Sequence, residues 1–274
     1  MVISDKTVKG VAVGGTRLIA FADALDKTPF YVEAVRNAPS SVQICKAGGL
    51  NLEYSIDGAS WTLMQHSADG TVKASVPAGC RLYLRGDNPA GLNPGGQDTV
   101  GATVLRTMLA SRVGGNLLSL LYPRDFGHVA DLSATQYAFA GFFNACQTLV
   151  SARDLRLPPV VLGPGACYNT FISCHKLIEP PATLPATVLA EWCYYQTFSQ
   201  CENLLYPPPA LPELAVEKYA TLTGRQGLRL MTTNMFFGCA AIVADGLLPE
   251  WYQWTAKPSA PAATAMKNLH LSTV

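Results

Sequence analysis

Charge is scarce in this chain. Only 14% of its 274 residues are Asp, Glu, Lys or Arg, and 20 basic against 19 acidic side chains leave a net charge of +1. There is no block of like charge and no basic cluster, so nucleic acid is not an expected partner. No run of about 18 apolar residues occurs, so no membrane-inserted helix is expected. Eight cysteines are present, yet none stands in a CxxC pair, and no two of the four histidines lie at ligand spacing. A zinc site is therefore not expected. Phosphate-loop, nucleophile-elbow and zinc-protease motifs are missing as well. His66, His128, His175 and His270 are scattered, and no acidic pair marks a loop as glycosidases require. These absences point to a protein that is not an enzyme and that uses no cofactor and no metal.

What is abundant is apolar surface: 49% of the residues are hydrophobic, which marks a folded chain long enough for one large or two modest domains. Near the start, Lys6 and Lys9 precede an apolar stretch over 11–24. Arg17 and Asp23 interrupt it and Gly14-Gly15 weakens a helix, so a cleaved leader is not expected there.

The second half repeats. Four Phe residues each precede a Cys by three: Phe143 and Cys146, Phe171 and Cys174, Phe198 and Cys201, Phe236 and Cys239. The Cys steps are 28, 27 and 38 residues (174 − 146, 201 − 174, 239 − 201). Three residues after each Cys stands Leu149, Leu177, Leu204 or Ile242, and further on a Leu-Pro pair at 157–158, 184–185, 211–212 or 248–249. Within the third unit Leu189, Cys193, Thr197 and Cys201 recur every four residues, which predicts one apolar helical face. A short extended segment is expected around each Leu-Pro pair. One helix and one extended segment in 27 residues cannot bury their own apolar face, whereas stacked copies can. The repeated Phe and Tyr then read as core instead of a sugar-binding strip. The repeated cysteines read as a ladder of free, buried thiols, with disulfides as the other possibility.

The string ACYNTFISCHKLIEPPATLPATVLAEWCYYQTFSQCENLLYPPPALP resembles the BspA-like leucine-rich repeats of gut-bacterial surface proteins. Cys167-Tyr168, Phe171 and Cys174 match one unit of that pattern, and Cys193-Tyr194, Phe198 and Cys201 the next. The fourth unit departs: it lacks the Cys-Tyr pair and is about ten residues longer. Residues 115–126 resemble the entry to such arrays and are expected to cap it. The resemblance implies adhesion and binding and carries no catalytic residues.

Before the array, short strand signals lie at 30–35, 42–45, 50–56, 61–64, 72–76 and 81–85, separated by Gly48-Gly49, Asp57-Gly58, Asp69-Gly70 and Ala78-Gly79. They predict a compact antiparallel β-sandwich. LEYSIDGASWTLMQ followed by AGCRLYLRGDN is similar to the β domain preceding the repeats in the same family. Residues 86–96 read as an exposed loop, and Arg85-Gly86-Asp87 as the end of a strand instead of an integrin motif. VKGVAVGGTRLIAFAD resembles the leading strands of phage fibre proteins.

The expected architecture is α+β: an anchoring segment over 1–27, a β-sandwich over 28–112, a leucine-rich-repeat solenoid of about four to five units over 113–254, and a tail over 255–274. The expected function is host-surface attachment by a phage fibre or virion decoration protein, with a bacterial cell-surface adhesin as the alternative. Expected partners are a protein or glycan on a bacterial surface and other virion proteins through the N-terminal segment, with self-association possible. The longer fourth unit places Arg225 and Arg229 in an insertion, where their planar guanidinium groups suit carboxylates, phosphates or acidic glycans.

Overall fold

All six anticipated strand signals form strands, and over Val72–Val76 and Arg81–Gly86 apolar and polar residues alternate, so that the pleat sends them to opposite faces. In the computed structural model, which describes residues 27–94, 96, 101–158, 160–205, 211–220, 227–246, 248 and 252, the chain is mostly β with a few short helices. The strands are β1 (Tyr31–Ala34), β2 (Ser40–Cys45), β3 (Leu52–Ser55), β4 (Thr62–Leu63), β5 (Val72–Val76) and β6 (Arg81–Gly86), joined by β7 (Val104–Thr107), β8 (Ser111–Asn116) and β9 (Leu149–Arg156). Helices α1 (Glu213–Ala220), α2 (Leu228–Met231) and α3 (Ala240–Ala244) follow. In β5, Val72, Ala74 and Val76 are buried while Lys73 and Ser75 are exposed. The β3–β4 turn is fixed by Asp57, whose Oδ1 accepts the Ser60 amide at 2.7 Å, the Ser55 hydroxyl at 2.7 Å and the Ala59 amide at 2.8 Å. Those bonds hold its carboxyl well below the ordinary range. Gly58 beside it takes φ +73°, a conformation that a side chain would oppose.

Two sheets result. One has the order β4-β3-β6-β1-β8-β9 and the other β5-β2-β7. Phe30, Val32, Leu82, Leu84 and Val113 from the first and Val42, Ile44, Val72 and Leu105 from the second belong to one hydrophobic cluster. Over the span expected to form an antiparallel sandwich, 28–112, the strand pairings are antiparallel; the parallel pairing is that of β8 with β9, which lies beyond it. Residues 112 and 113, where a domain boundary was anticipated, both lie inside β8. The same cluster continues through Phe143, Phe171 and Phe198, so one core underlies both halves.

The repeat does not form the expected α-helix. Residues 190–201 are a chain of consecutive turns: the amides of Cys193, Tyr195, Thr197, Ser199 and Cys201 bond carbonyls three residues back, at Ala190, Trp192, Tyr194, Gln196 and Phe198. The intervening amides leave the unit. Tyr194, Gln196, Phe198 and Gln200 donate to the carbonyls of Met231, Thr233, Met235 and Phe237 in the next unit. The unit before repeats the scheme, with Cys167, Asn169, Phe171 and Ser173 donating to Cys193, Tyr195, Thr197 and Ser199. Every fourth residue has positive φ: Tyr137, Gly141 and Ala145; Gly165, Asn169 and Ser173; Trp192, Gln196 and Gln200; then Asn234 and Gly238. A left-handed residue in each four prevents helix propagation. The apolar pattern is shared by both structures, since a turn chain of period four buries Leu189, Cys193, Thr197 and Cys201 on one side, as a helix would.

Extended segments join successive turn chains. Ala152 donates to Glu179 and Leu205 to Ile178, while the parallel bridge Val161–Val188 aligns the stretches after two Leu-Pro pairs and Asp131–Val161 adds the segment before the first turn chain. The register also revises the anticipated alignment. Cys167 is the counterpart of Tyr194, and Tyr168 stacks on Tyr195 at 4.7 Å, so the Cys-Tyr pair at 193–194 is shifted by one residue from the pair at 167–168.

The first turn chain is closed by the two-sheet body. Its outward carbonyls, at Ala138, Ala140, Phe142 and Asn144, accept from Leu92 N, Asn93 Nδ2, Leu105 N and Arg106 Nη1. These donors stand where a preceding unit's amides would be. The segment expected to cap, 115–126, instead forms a buried 3₁₀ turn at Leu117–Leu120. The loop over 86–96 is not simply exposed either. Asn88, Gly91, Leu92 and Asn93 are buried, and Asn88 Nδ2 donates to the carbonyls of Asn51 and Leu120. At the other end, Tyr252 packs edge-on to Phe236 at 4.9 Å and its hydroxyl accepts the Phe236 amide.

Candidate functional site: the faces of the turn ladder

The repeated Phe and Cys residues are structural and interlocked. Phe143, Phe171, Phe198 and Phe236 form one column with ring spacings of 4.8, 5.3 and 5.7 Å and interplanar angles of 8, 12 and 2°. That pitch is close to the spacing of hydrogen-bonded strands. The thiol of each later Cys donates to the carbonyl of the Phe one unit earlier: Cys174 to Phe143 at 3.0 Å, Cys201 to Phe171 at 3.1 Å and Cys239 to Phe198 at 3.0 Å. All eight cysteines are free. Burial pushes the Cys193 and Cys239 thiols up to about 12 and raises those of Cys167, Cys174 and Cys201 as well, which makes them poor nucleophiles. The four repeated Phe and the four repeated Cys, Cys146 included, are fully or almost fully buried, so these positions serve packing and not chemistry.

The anticipated ligand residues are only partly placed. Arg225 lies outside the described residues. Arg229 is exposed on α2, and its carbonyl accepts the Thr233 hydroxyl at 2.6 Å. The insertion also serves the core: Ala215, Tyr219, Leu228 and Met231 are buried, and Tyr219 Oη accepts the Leu189 amide at 3.1 Å.

Arg85-Gly86-Asp87 lines a groove with Asn51, Glu53, Leu63, Tyr122, Pro123, Arg124 and Asp125. Arg85 is held by Glu53 at 2.5 Å and lies 4.1 Å over the Trp61 ring, while Gly86 is buried against the Asn51 carbonyl. The tripeptide is therefore part of a strand end and not a projecting tip. Among the described residues no group of three His, Cys, Asp or Glu is arranged to hold a metal ion.

The expectation that the repeated Tyr residues belong to the core holds only for Tyr194, which is fully buried with a hydroxyl that has no hydrogen-bond partner. Tyr137, Tyr168 and Tyr195 are half-buried on the surface of the turn ladder. Tyr168 and Tyr195 stack at 4.7 Å and 6°, and Tyr137 meets Tyr168 edge-on at 6.0 Å. Gly165 makes room for the first ring, since a Cβ there would overlap Tyr137. The one-residue shift between 168 and 195 hid this row, because aligning the Cys-Tyr pairs puts Tyr194 in place of Tyr195.

No family model, curated protein or solved structure matches the chain.

Proposed function

We propose that this protein is a non-enzymatic recognition scaffold of BspA-like leucine-rich-repeat type, serving as a phage fibre or virion decoration protein that attaches to a bacterial host surface. One observation carries the reading: a constant interior supports a varied exterior. Inward positions repeat as Phe and Cys in every unit. The position three before each Phe is instead Ala140, which is buried, then Tyr168, Tyr195 and Thr233, which are half-buried, and the position two after it is Ala145, Ser173, Gln200 and Gly238. A backbone register that holds while outward side chains change is the property a binding solenoid needs. The test is sedimentation of purified full-length protein with candidate host cells, alongside mass spectrometry of purified virions and of cell envelopes. Saturable cell binding and presence in virions support the proposal. Presence only in envelopes supports the adhesin alternative, and no cell binding with presence in neither fraction overturns both.

A further inference from the structure

The turn ladder carries its tyrosine row on segments without charge. Of the chain's 20 basic and 19 acidic side chains, none lies within 133–147, 163–174, 192–201 or 230–241, which make up most of the four turn chains; Glu191 and Arg229 stand at the starts of the third and fourth. The polar groups within those segments are amides and hydroxyls. Gln136 and Gln147 are exposed, Asn144 and Gln196 are half-buried, and the Ser173 hydroxyl donates to Gln200 Oε1 at 2.8 Å. Asn169, next to Tyr168 in the chain, is 6% exposed and its Oδ1 has no hydrogen-bond partner.

Resting on the surface-binding reading above, we infer that the row of Tyr137, Tyr168 and Tyr195 is a docking strip for an uncharged glycan. Aromatic rings supply apolar contact to sugar C–H faces while phenol and amide groups bond hydroxyls. An anionic polymer would find no cation but Arg229 at the start of the fourth turn chain, and a cationic one no carboxylate but Glu191 at the start of the third, so desolvating most of their charges would go uncompensated. The neutral class is the one that the side chains complement. The surface near Arg229 would favour acidic ligands, which makes the two surfaces separable by experiment.

Full-length protein is run through native gels containing dextran, mannan or polygalacturonate, together with the double variant Tyr168→Thr, Tyr195→Thr. Thr is chosen because Thr233 occupies the equivalent place in the fourth unit, so the backbone accepts it. The single variant Tyr195→Thr serves if the double variant fails a thermal melt. Retardation by a neutral polymer, weakened about tenfold or more in the variant and unchanged in Arg225→Ala, Arg229→Ala, supports the strip. Retardation by polygalacturonate alone, or neutral binding undiminished in the variant, overturns it. Cell binding without binding to any neutral polymer also overturns it while leaving the surface-binding reading standing. Absence of both cell and polymer binding in the native protein would sink the two together.

Discussion

Gln196 offers a test in which a turn chain and an α-helix predict opposite signs. Its φ is +49°; its amide donates to Thr233 at 2.9 Å and its carbonyl accepts from Ser199 at 3.0 Å. Replacing the side chain leaves both bonds intact, so the comparison of Gln196→Gly with Gln196→Ala isolates backbone preference. A residue with a Cβ in the left-handed region costs about 1–2 kcal/mol, and glycine relieves that. Against it stands glycine's greater unfolded-state freedom, about 0.4–1 kcal/mol. The Gly variant should therefore be more stable than the Ala variant by about 0.5–1 kcal/mol. In a helix interior the order reverses, with Ala favoured by about 1 kcal/mol. For a chain of this size about 1 kcal/mol moves Tm by about 2–4 °C, so paired thermal and urea melts resolve the sign. An Ala variant that melts above the Gly variant would refute the turn chain.

Tyr194→Phe should leave stability unchanged or raise it by about 1–3 kcal/mol, because the deleted hydroxyl is buried without a partner; a loss above about 1 kcal/mol in a urea melt would mean the hydroxyl is satisfied. Cys174 and Cys201 should resist thiol reagents in the native state and react only after unfolding, and fast native labelling would contradict the ladder. Because the Cys193 and Cys239 thiols are raised from 9.0 to about 12, they stay protonated in the fold while the unfolded chain ionises. Their contribution should thus be intact below about pH 9 and fall by more than about 1 kcal/mol per pH unit for each thiol as pH rises toward 12, as urea midpoints across that window would report. Asn93→Ala removes the donor to Ala140 and the acceptor of the Thr103 amide at 2.7 Å, and should cost about 2 kcal/mol or more, with faster hydrogen exchange in the first turn chain.

Much of the fold was legible because its signals are local. Strand alternation and Gly turns located β1 to β6, and Phe-to-Cys spacing located the repeat and its buried face. What was not legible depended on pairing at long range. The parallel β8–β9 ladder joins residues as distant as Asn116 and Arg156, and β7 packs by a pairing with β2 that its short sequence does not announce. The turn chain escaped because its period of four is close to a helix's, and only the positive φ at positions such as Gln196 and Asn169 separates the two. Neither residue type demands that conformation. The tyrosine row was missed through a one-residue alignment slip, since both Tyr194 and Tyr195 offered a match and only stacking chooses between them.

The amide bonds between turn chains all point one way, and that gives the ladder a polarity with consequences for how it grows. Each chain's outward carbonyls need ordered donors from the unit before, and for the first unit that role falls to the donors from Leu92 to Arg106. A chain made from its N-terminus completes this template before the first Phe of the column is synthesised, so assembly can proceed outward one unit at a time. The step from the third to the fourth unit shows that extra residues are absorbed outside the turn chain, where they leave the bonds from Tyr194 and Phe198 in register. Duplication or loss of an internal unit would therefore disturb neither terminus, and the length of the displayed surface could change by whole units while its two ends stay the same.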